Sequence, residues 1–155
     1  MDRTLHPTGY READTNLTTD LGNPLEAWTP VSVRAADERD RIEAAFLRQR
    51  ESRDRLIRVA PADERANCYG WVFTGGQHWL PESSLKKILQ ENGYRQTREP
   101  AAGDLIAYQR QGEISHLAIV RYLAPDRPPI VEGKWGMNGV FLHAADVTHY
   151  GKDFV

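Results

Sequence analysis

The chain contains one cysteine, which lies in the stretch Ala66-Asn67-Cys68-Tyr69-Gly70-Trp71-Val72-Phe73-Thr74. The residues after the cysteine are apolar at helical spacing, and Gly75-Gly76 follows them directly. Because paired glycines carry a high backbone entropy cost in a helix, we expect a short helix that begins near Cys68 and ends at these glycines. The first turn of a helix presents free N–H groups and the positive end of the dipole, which lower the pKa of a cysteine there. The stretch therefore predicts a sulfur nucleophile.

A general base for this nucleophile is offered by His116, which opens the apolar run 116–120. This run has the composition of a buried strand, and residues 103–108 before it read as another strand. Between them, Gln111-Gly112-Glu113 predicts the turn of an antiparallel hairpin. A lone cysteine or histidine is more often an ordinary core residue than a catalytic one. The helix-start cysteine and the strand histidine therefore indicate thiol chemistry only as a pair.

Three motifs occur in a fixed order along residues 60 to 150. They are Asn67-Cys68-x-Gly70, Pro100-x-x-Gly103-Asp104-Leu105-Ile106 and His116-Leu117-Ala118-Ile119-Val120. This order resembles the NlpC/P60 (CHAP-like) family of papain-fold cysteine peptidases and amidases. The family pattern is Asp-Cys-Ser-Gly, Pro-Gly-Asp-Leu and His-Val-Gly-Ile, with a third polar residue on the next strand. The resemblance implies a hydrolase that cleaves an amide or peptide bond, with cell-wall-type peptides as one substrate class.

The same resemblance implies roles for individual residues. Cys68 would attack an acyl carbon, and His116 would take the thiol proton and later give a proton to the leaving amine. Glu132 stands where the family has the residue that orients the imidazole. The alternative for Glu132 is an ion pair with Lys134, two residues along the strand. Asn138 and His143 are the other candidates for the third position.

Two residues beside the cysteine depart from the family pattern. Asn67 replaces the acid before the cysteine, and Tyr69 replaces the small serine after it. The Cys68 backbone N–H and the Asn67 side chain would donate to an oxyanion, while Tyr69 would either line the substrate cleft or fill it. A filled cleft would make the chain an inactive papain-like fold that acts as a protein-binding module. Its partner surface would then be the polar N-terminal arm and helix.

The order of the remaining elements predicts an α+β fold with the cysteine helix packed on an antiparallel sheet. We expect a single domain over residues 1–155, in which an N-terminal arm and helix (1–59) precede a papain-like core (60–155). Ser83 or Ser84 is expected to cap the second of the later helices. The predicted elements are a long helix over 37–57, helices over 66–74 and 85–92, and strands over 103–108, 115–120, 130–135 and 139–143.

The overall charge and hydropathy exclude several function classes. The formal net charge is −2, which gives no general attraction to nucleic acid or to an anionic membrane. The arginine-rich segment 48–58 is interrupted by Glu51 and Asp54 and predicts a salt-bridged, solvent-facing surface. No apolar run approaches the roughly 18 residues of a membrane span, and the first residues lack the apolar core of a secretory signal. We therefore expect a cytoplasmic protein, with export by dedicated machinery left open.

Cofactors are not expected from the sequence. His143-x-x-Asp146-x-x-His149 contains possible ligands but matches no established metal motif. Gly75-Gly76 lacks the Gly-Lys-Ser/Thr that follows in a phosphate-binding loop. The expected partner is thus a peptide or amide substrate, without a metal or an organic cofactor.

Overall fold

The computed structural model describes residues 7–151 and 153–155. It has an α+β fold, as the sequence predicts. Its helices are α1 (Ala36–Arg48), α2 (Cys68–Thr74) and α3 (Glu82–Glu91). Its strands are β1 (Tyr10–Glu12), β2 (Trp28–Pro30), β3 (Ile57–Ala60), β4 (Leu105–Arg110), β5 (Glu113–Tyr122), β6 (Ile130–Lys134) and β7 (Val140–Ala144).

A five-stranded antiparallel sheet in the order β3-β7-β6-β5-β4 forms the centre of the fold, and β1 and β2 form a separate ribbon. The β4–β5 hairpin is confirmed. Its connection places Gln111 and Gly112 at positive φ, 53° and 81°, which is the geometry of a tight two-residue turn. The Asp104 carboxylate accepts the backbone N–H of Ala101 at 2.8 Å and so stabilises the turn before β4.

The cysteine helix has the predicted limits. Gly75 ends it in the left-handed conformation, with φ of 62°. Gly70 permits the chain to fold back over the helix, since a Cβ at this position would lie 1.6 Å from the carbonyl oxygen of His78. The predicted serine cap of α3 is wrong. The residue before that helix is Pro81, and the Ser84 hydroxyl instead donates to the carbonyl of Glu26 at 2.6 Å.

The long helix predicted over 37–57 is wrong in its second half. After α1 the chain forms a 3-10 turn, Glu51–Arg55, and then enters β3, which pairs with β7 at the edge of the sheet. The sheet edge supplies backbone hydrogen-bond partners to segment 57–60. This segment contains the β-branched residues Ile57 and Val59, which favour a strand over a helix. The expected ion pairs form in part: Arg53 pairs with Asp54, and Arg58 contacts Asp40 and the buried Glu43 at 2.7 Å. The expected boundary between residues 59 and 60 falls inside β3.

The sheet separates two layers of buried side chains. The first, here called the α2 face, packs Leu117 of the sheet against Cys68 and Tyr69 of α2 and against Leu85 and Ile88 of α3. The second, here called the aromatic face, consists of Phe46, Tyr108, His116, Trp135, His143, His149 and Tyr150. Within the described ranges, no helix is long and apolar enough to cross a membrane.

Candidate active site

Asn67 fixes the start of the cysteine helix. It is the N-cap of α2, and its side-chain oxygen accepts the backbone N–H of Gly70 at 2.9 Å and that of Leu80 at 3.2 Å. Its amide nitrogen donates to the carbonyl of Leu80 at 2.8 Å. The side chain thus joins the helix to the following loop inside the protein. The predicted use of this amide at an oxyanion would have to compete with that bond.

The Cys68 thiol lies where the sequence predicts it, at the first residue of α2, but its pKa moves in the opposite direction. Burial raises the pKa of the thiol to about 11. The backbone N–H groups of Leu117 and Tyr69 and the charge of Lys134 lower it, and they do not offset the burial. The prediction of a lowered pKa is therefore wrong for this conformation, because the desolvation of a buried thiolate costs more than a helix start returns.

Tyr69 belongs to the core of the α2 face. Its side chain is buried, and its hydroxyl donates to the backbone carbonyl of Ile114 at 3.0 Å. Burial raises its pKa, and the neighbouring Cys68 adds to the effect. The sequence left open whether Tyr69 lines a substrate cleft or fills it, and in the structure the ring fills space in the core. The prediction that Tyr69 lines a substrate cleft is wrong for this conformation.

His116 lies on the aromatic face of β5 and is fully buried. The ring of Tyr150 stacks on it in parallel, with centroids 3.7 Å apart and planes 3° apart. Gly133 makes room for the imidazole, since a Cβ there would lie 3.2 Å from Nε2. Neither ring nitrogen has a hydrogen-bond partner among the described residues. Burial, followed by the charges of His143 and His149, lowers its pKa well below the ordinary value, so the imidazole is neutral.

No hydrogen bond joins the Cys68 thiol to the His116 ring. The backbone N–H of Leu117, the residue that follows His116 on β5, lies close enough to the thiol to lower its pKa. Leu117 packs with Cys68 on the α2 face, whereas the imidazole ring packs with Tyr108 and Tyr150 on the aromatic face. Burial and then the charge of Cys68 raise the pKa of Tyr150, the ring that stacks on His116, so the thiol and the imidazole both lie near this tyrosine.

Glu132 is not brought to His116. It lies opposite Ile119 on the neighbouring strand, and its carboxylate forms an ion pair with Arg121 at 3.3 Å. Gly133, the next residue, is the one that contacts the imidazole. Since successive residues of a strand point to opposite faces, Glu132 points away from the histidine. The alternative pairing with Lys134 is not found either.

Lys134 has a role that the sequence did not reveal. Its ammonium is buried and donates to the carbonyl oxygens of Asp63 at 2.6 Å, Gly136 at 2.5 Å and Asn138 at 2.9 Å. These bonds occupy its three donors and fix the loop between β6 and β7. Burial lowers its pKa to about 8, opposed by the charges of Asp63 and Cys68. The one available signal was a lysine between a glycine and a tryptophan at the end of an apolar strand.

His143, one of the other candidates for the third position, lies on the same face of the sheet as His116. It pairs with Val131, which lies on the same side of β6 as Gly133. Its Nδ1 lies 2.7 Å from the carbonyl oxygen of Ala144. Because a carbonyl only accepts, Nδ1 carries the proton, and Nε2 is left as a buried acceptor without a partner among the described residues. His143 also lowers the pKa of His116, which shows that the two rings interact electrostatically.

The other residues that the sequence suggested, Asn138 and His149, have structural contacts. The backbone carbonyl of Asn138 accepts a hydrogen bond from Lys134, and Asn138 also lines a cavity described below. His149 packs against Trp135, with ring centroids 4.9 Å apart. Among the residues that the structure describes, no group of three or more His, Cys, Asp or Glu side chains is placed to hold a metal ion.

Comparisons with known proteins found no match to this chain. No protein-family model matches the chain, and no curated protein or solved structure matches it. The site must therefore be interpreted from its own chemistry.

Proposed function

We propose that the protein is a thiol hydrolase of papain-like, NlpC/P60 type that cleaves an amide or peptide bond. Cys68 is the nucleophile, His116 is the general base and acid, and His143 replaces Glu132 as the residue that orients the imidazole. The observation that supports this most strongly is the buried His116 ring, whose two nitrogens lack partners among the described residues while the backbone N–H of the next residue lies close enough to the Cys68 thiol to lower its pKa. A buried polar group without a partner lowers the stability of a fold by about 1–3 kcal/mol. We therefore interpret the two unpaired nitrogens of His116 as groups with a functional role.

The proposed reaction follows from the protonation states. The neutral imidazole of His116 accepts the thiol proton as Sγ bonds to the carbonyl carbon of the substrate. The C–N bond then breaks, and the amine leaves with a proton from the imidazolium. Water attacks the thioester while the imidazole accepts its proton, the C–S bond breaks to release the carboxylic acid, and the imidazolium returns the proton to Sγ of Cys68. The backbone N–H of Cys68 is a candidate donor to the oxyanion.

The conformation described here is a closed state of this site. The thiol is buried with a pKa of about 11, and Tyr150 covers one side of the His116 ring. Catalysis therefore requires Tyr150 to leave the imidazole and the substrate to take its place. Such movements are ordinary steps in enzyme cycles, and the binding energy of the substrate drives them. The resemblance to NlpC/P60 proteins suggests cell-wall-type peptides as the substrate.

A second candidate is an inactive papain-like fold that binds a protein partner. Its support is the same buried thiol, because a cysteine with a raised pKa and a covered neighbour behaves as a small core residue. In that case Asn67 and Tyr69 serve only the stability of the helix, and the partner surface is the N-terminal arm with α1.

Labelling with two reagents separates these functions. The first is a short peptide that ends in a fluoromethyl ketone, and the second is iodoacetamide; both rates are divided by those measured with free glutathione. Because the chain has one cysteine, mass spectrometry reports Cys68 alone. We expect the peptide reagent to react at least tenfold faster than iodoacetamide on this scale. We expect His116→Ala to remove that preference.

The control is Gln90→Ala, an exposed position on α3. It should keep the preference, and urea unfolding of both variants shows whether each is folded. Equal normalised rates for the two reagents, unchanged in His116→Ala, would reject the hydrolase and favour the binding module.

A further inference from the structure

A cavity of about 320 Å³ lies between α1, the loop after β6 and the segment 149–150. Its walls include the rings of Phe46 and Trp135 and the side chains of Ile42 and Met137. Ligand pockets span about 300–1,000 Å³, so this one is large enough for a single amino-acid residue rather than an extended peptide. An apolar wall of this kind suits an aliphatic or aromatic side chain.

The cavity also contains the guanidinium of Arg39, for which the described residues supply no carboxylate partner. Arg39 lines it, donates from one nitrogen to the carbonyl of Arg34 at 2.9 Å, and has a buried Nε with no partner among the described residues. Neighbouring Arg34 is different, because Glu38 and Glu64 both pair with it. The carboxylate of Glu64, which also lines the cavity, is therefore already neutralised, while the charge of Arg39 is not.

Other groups around the cavity add donors and positive charge. The indole Nε1 of Trp135 is buried without a partner among the described residues. Arg50 lies over the ring of Phe46, 3.9 Å from its centroid, and its Nε is likewise buried and unpartnered within the described part of the chain. An arginine fork is suited to a carboxylate, and buried unpaired charge is costly. Arg39 and Trp135, which both line the cavity, thus leave unpaired donors that an anion would satisfy.

The position of the cavity connects it to the candidate active site. Tyr150 and His149 line it, and Tyr150 stacks on the His116 ring. A ligand whose carboxylate reaches Arg39 would therefore have its other end at the ring that covers the catalytic base. This argument rests on the function proposed above.

We propose that this cavity binds the C-terminal residue of a peptide substrate, with an apolar side chain against Phe46 and Trp135 and the carboxylate on Arg39. The hydrolase would then act on amide bonds close to a free peptide C-terminus. The cavity would be specific for a residue that has both a free carboxylate and an apolar side chain, because Arg39 binds the first and the rings of Phe46 and Trp135 pack against the second.

Calorimetric titration of the full chain carrying Cys68→Ala tests this binding without turnover. The probes are N-acetyl-L-phenylalanine and N-acetyl-L-phenylalaninamide, which differ in the carboxylate. We expect the acid to bind at least tenfold more tightly than the amide. Arg39→Gln should reduce the affinity for the acid to that for the amide.

Two further variants make the result specific. Arg41→Gln, on the same helix at an exposed ion pair with Asp37, should leave the affinity for the acid unchanged. Met137→Glu places a carboxylate at a half-exposed wall of the cavity. It should lower the affinity for the acid and leave the affinity for the amide unchanged. The inference is overturned if the acid does not bind at millimolar concentration, if acid and amide bind equally, or if Arg39→Gln and Arg41→Gln behave alike.

The outcome is independent of the labelling experiment. Preferential labelling that depends on His116, without binding of the acid, would reject the cavity proposal and retain the hydrolase. Binding of the acid that depends on Arg39, without preferential labelling, would reject the hydrolase and leave a carboxylate-binding module.

Discussion

Both faces of the five-stranded sheet are buried, but they differ in how many of their polar groups have hydrogen-bond partners. On the α2 face, the amide of Asn67 and the hydroxyl of Tyr69 have backbone partners. On the aromatic face, both ring nitrogens of His116, Nε1 of Trp135 and Nε2 of His143 have none among the described residues, although the Tyr108 hydroxyl donates to the carbonyl of Ala145 at 2.6 Å. Most buried polar atoms in proteins are paired, so the α2 face has the character of a stabilising core. The unpaired nitrogens of the aromatic face lower the stability of the fold.

The largest expected effect is a difference in stability between the two faces at adjacent residues. Leu117→Ala should lower the free energy of unfolding by about 3 kcal/mol, because it leaves a cavity against α2. His116→Leu should leave it within about 1 kcal/mol of the wild type or raise it, because it removes two unpaired nitrogens. Urea unfolding at pH 7 measures both. A loss of several kcal/mol in His116→Leu would mean that the imidazole is a structural residue, and the comparison between the faces would fail.

The next effect concerns the residue that orients the base. His143→Ala should slow labelling of Cys68 by the peptide fluoromethyl ketone at least tenfold, or about 1.4 kcal/mol in the barrier. Glu132→Ala should change this rate less than twofold, because Glu132 pairs with Arg121 on the other side of its strand. His143→Asn, which keeps an acceptor, should recover part of the rate. If Glu132→Ala is the slower variant, the original assignment from the sequence is right and the geometry found here is not the active one.

The sequence was sufficient for the local features of the site and insufficient for its long-range ones. The helix start at Cys68, its end at Gly75 and the hairpin that carries His116 follow from local propensity, and each was predicted. The partners of Glu132 and the burial of the thiol depend on which face of a strand meets which element. A one-residue difference in position reverses the face, so the family resemblance implied Glu132 beside the histidine when its neighbour Gly133 holds that place.

The N-terminal region shows the same limit in a different form. The charged pattern of residues 48–58 is compatible with a helix, and only pairing with β7 selects a strand for its last part. Lys134 gave no signal because its three acceptors come from a loop and from Asp63, far away in the sequence. The cavity beside Arg39 was likewise invisible, since it joins α1 to residues about one hundred positions later.

The smallest expected effect is a pH dependence of opposite sign on the two faces. On the aromatic face, burial lowers the pKa of His149 from 6.5 to about 4 and lowers that of His116 in the same direction. The unfolded chain therefore takes up these protons at a higher pH than the folded chain, and stability is lost as the pH falls below about 6.5. On the α2 face, the pKa of Cys68 is raised from 9.0 to about 11, so its contribution is lost as the pH rises above about 9.

Urea midpoints at pH 5.5, 7 and 10 test this difference, with each variant compared with the wild type at the same pH. His149→Gln should reduce the loss between pH 7 and 5.5 and leave the change between pH 7 and 10 as it is. Cys68→Ala should do the reverse. If His149→Gln alters only the alkaline limb, or Cys68→Ala only the acid limb, the burial assigned to the two faces is wrong. If both respond as expected, the fold keeps a neutral thiol and neutral imidazoles at pH 7. Substrate binding would then have to activate the pair, since no thiolate is present beforehand.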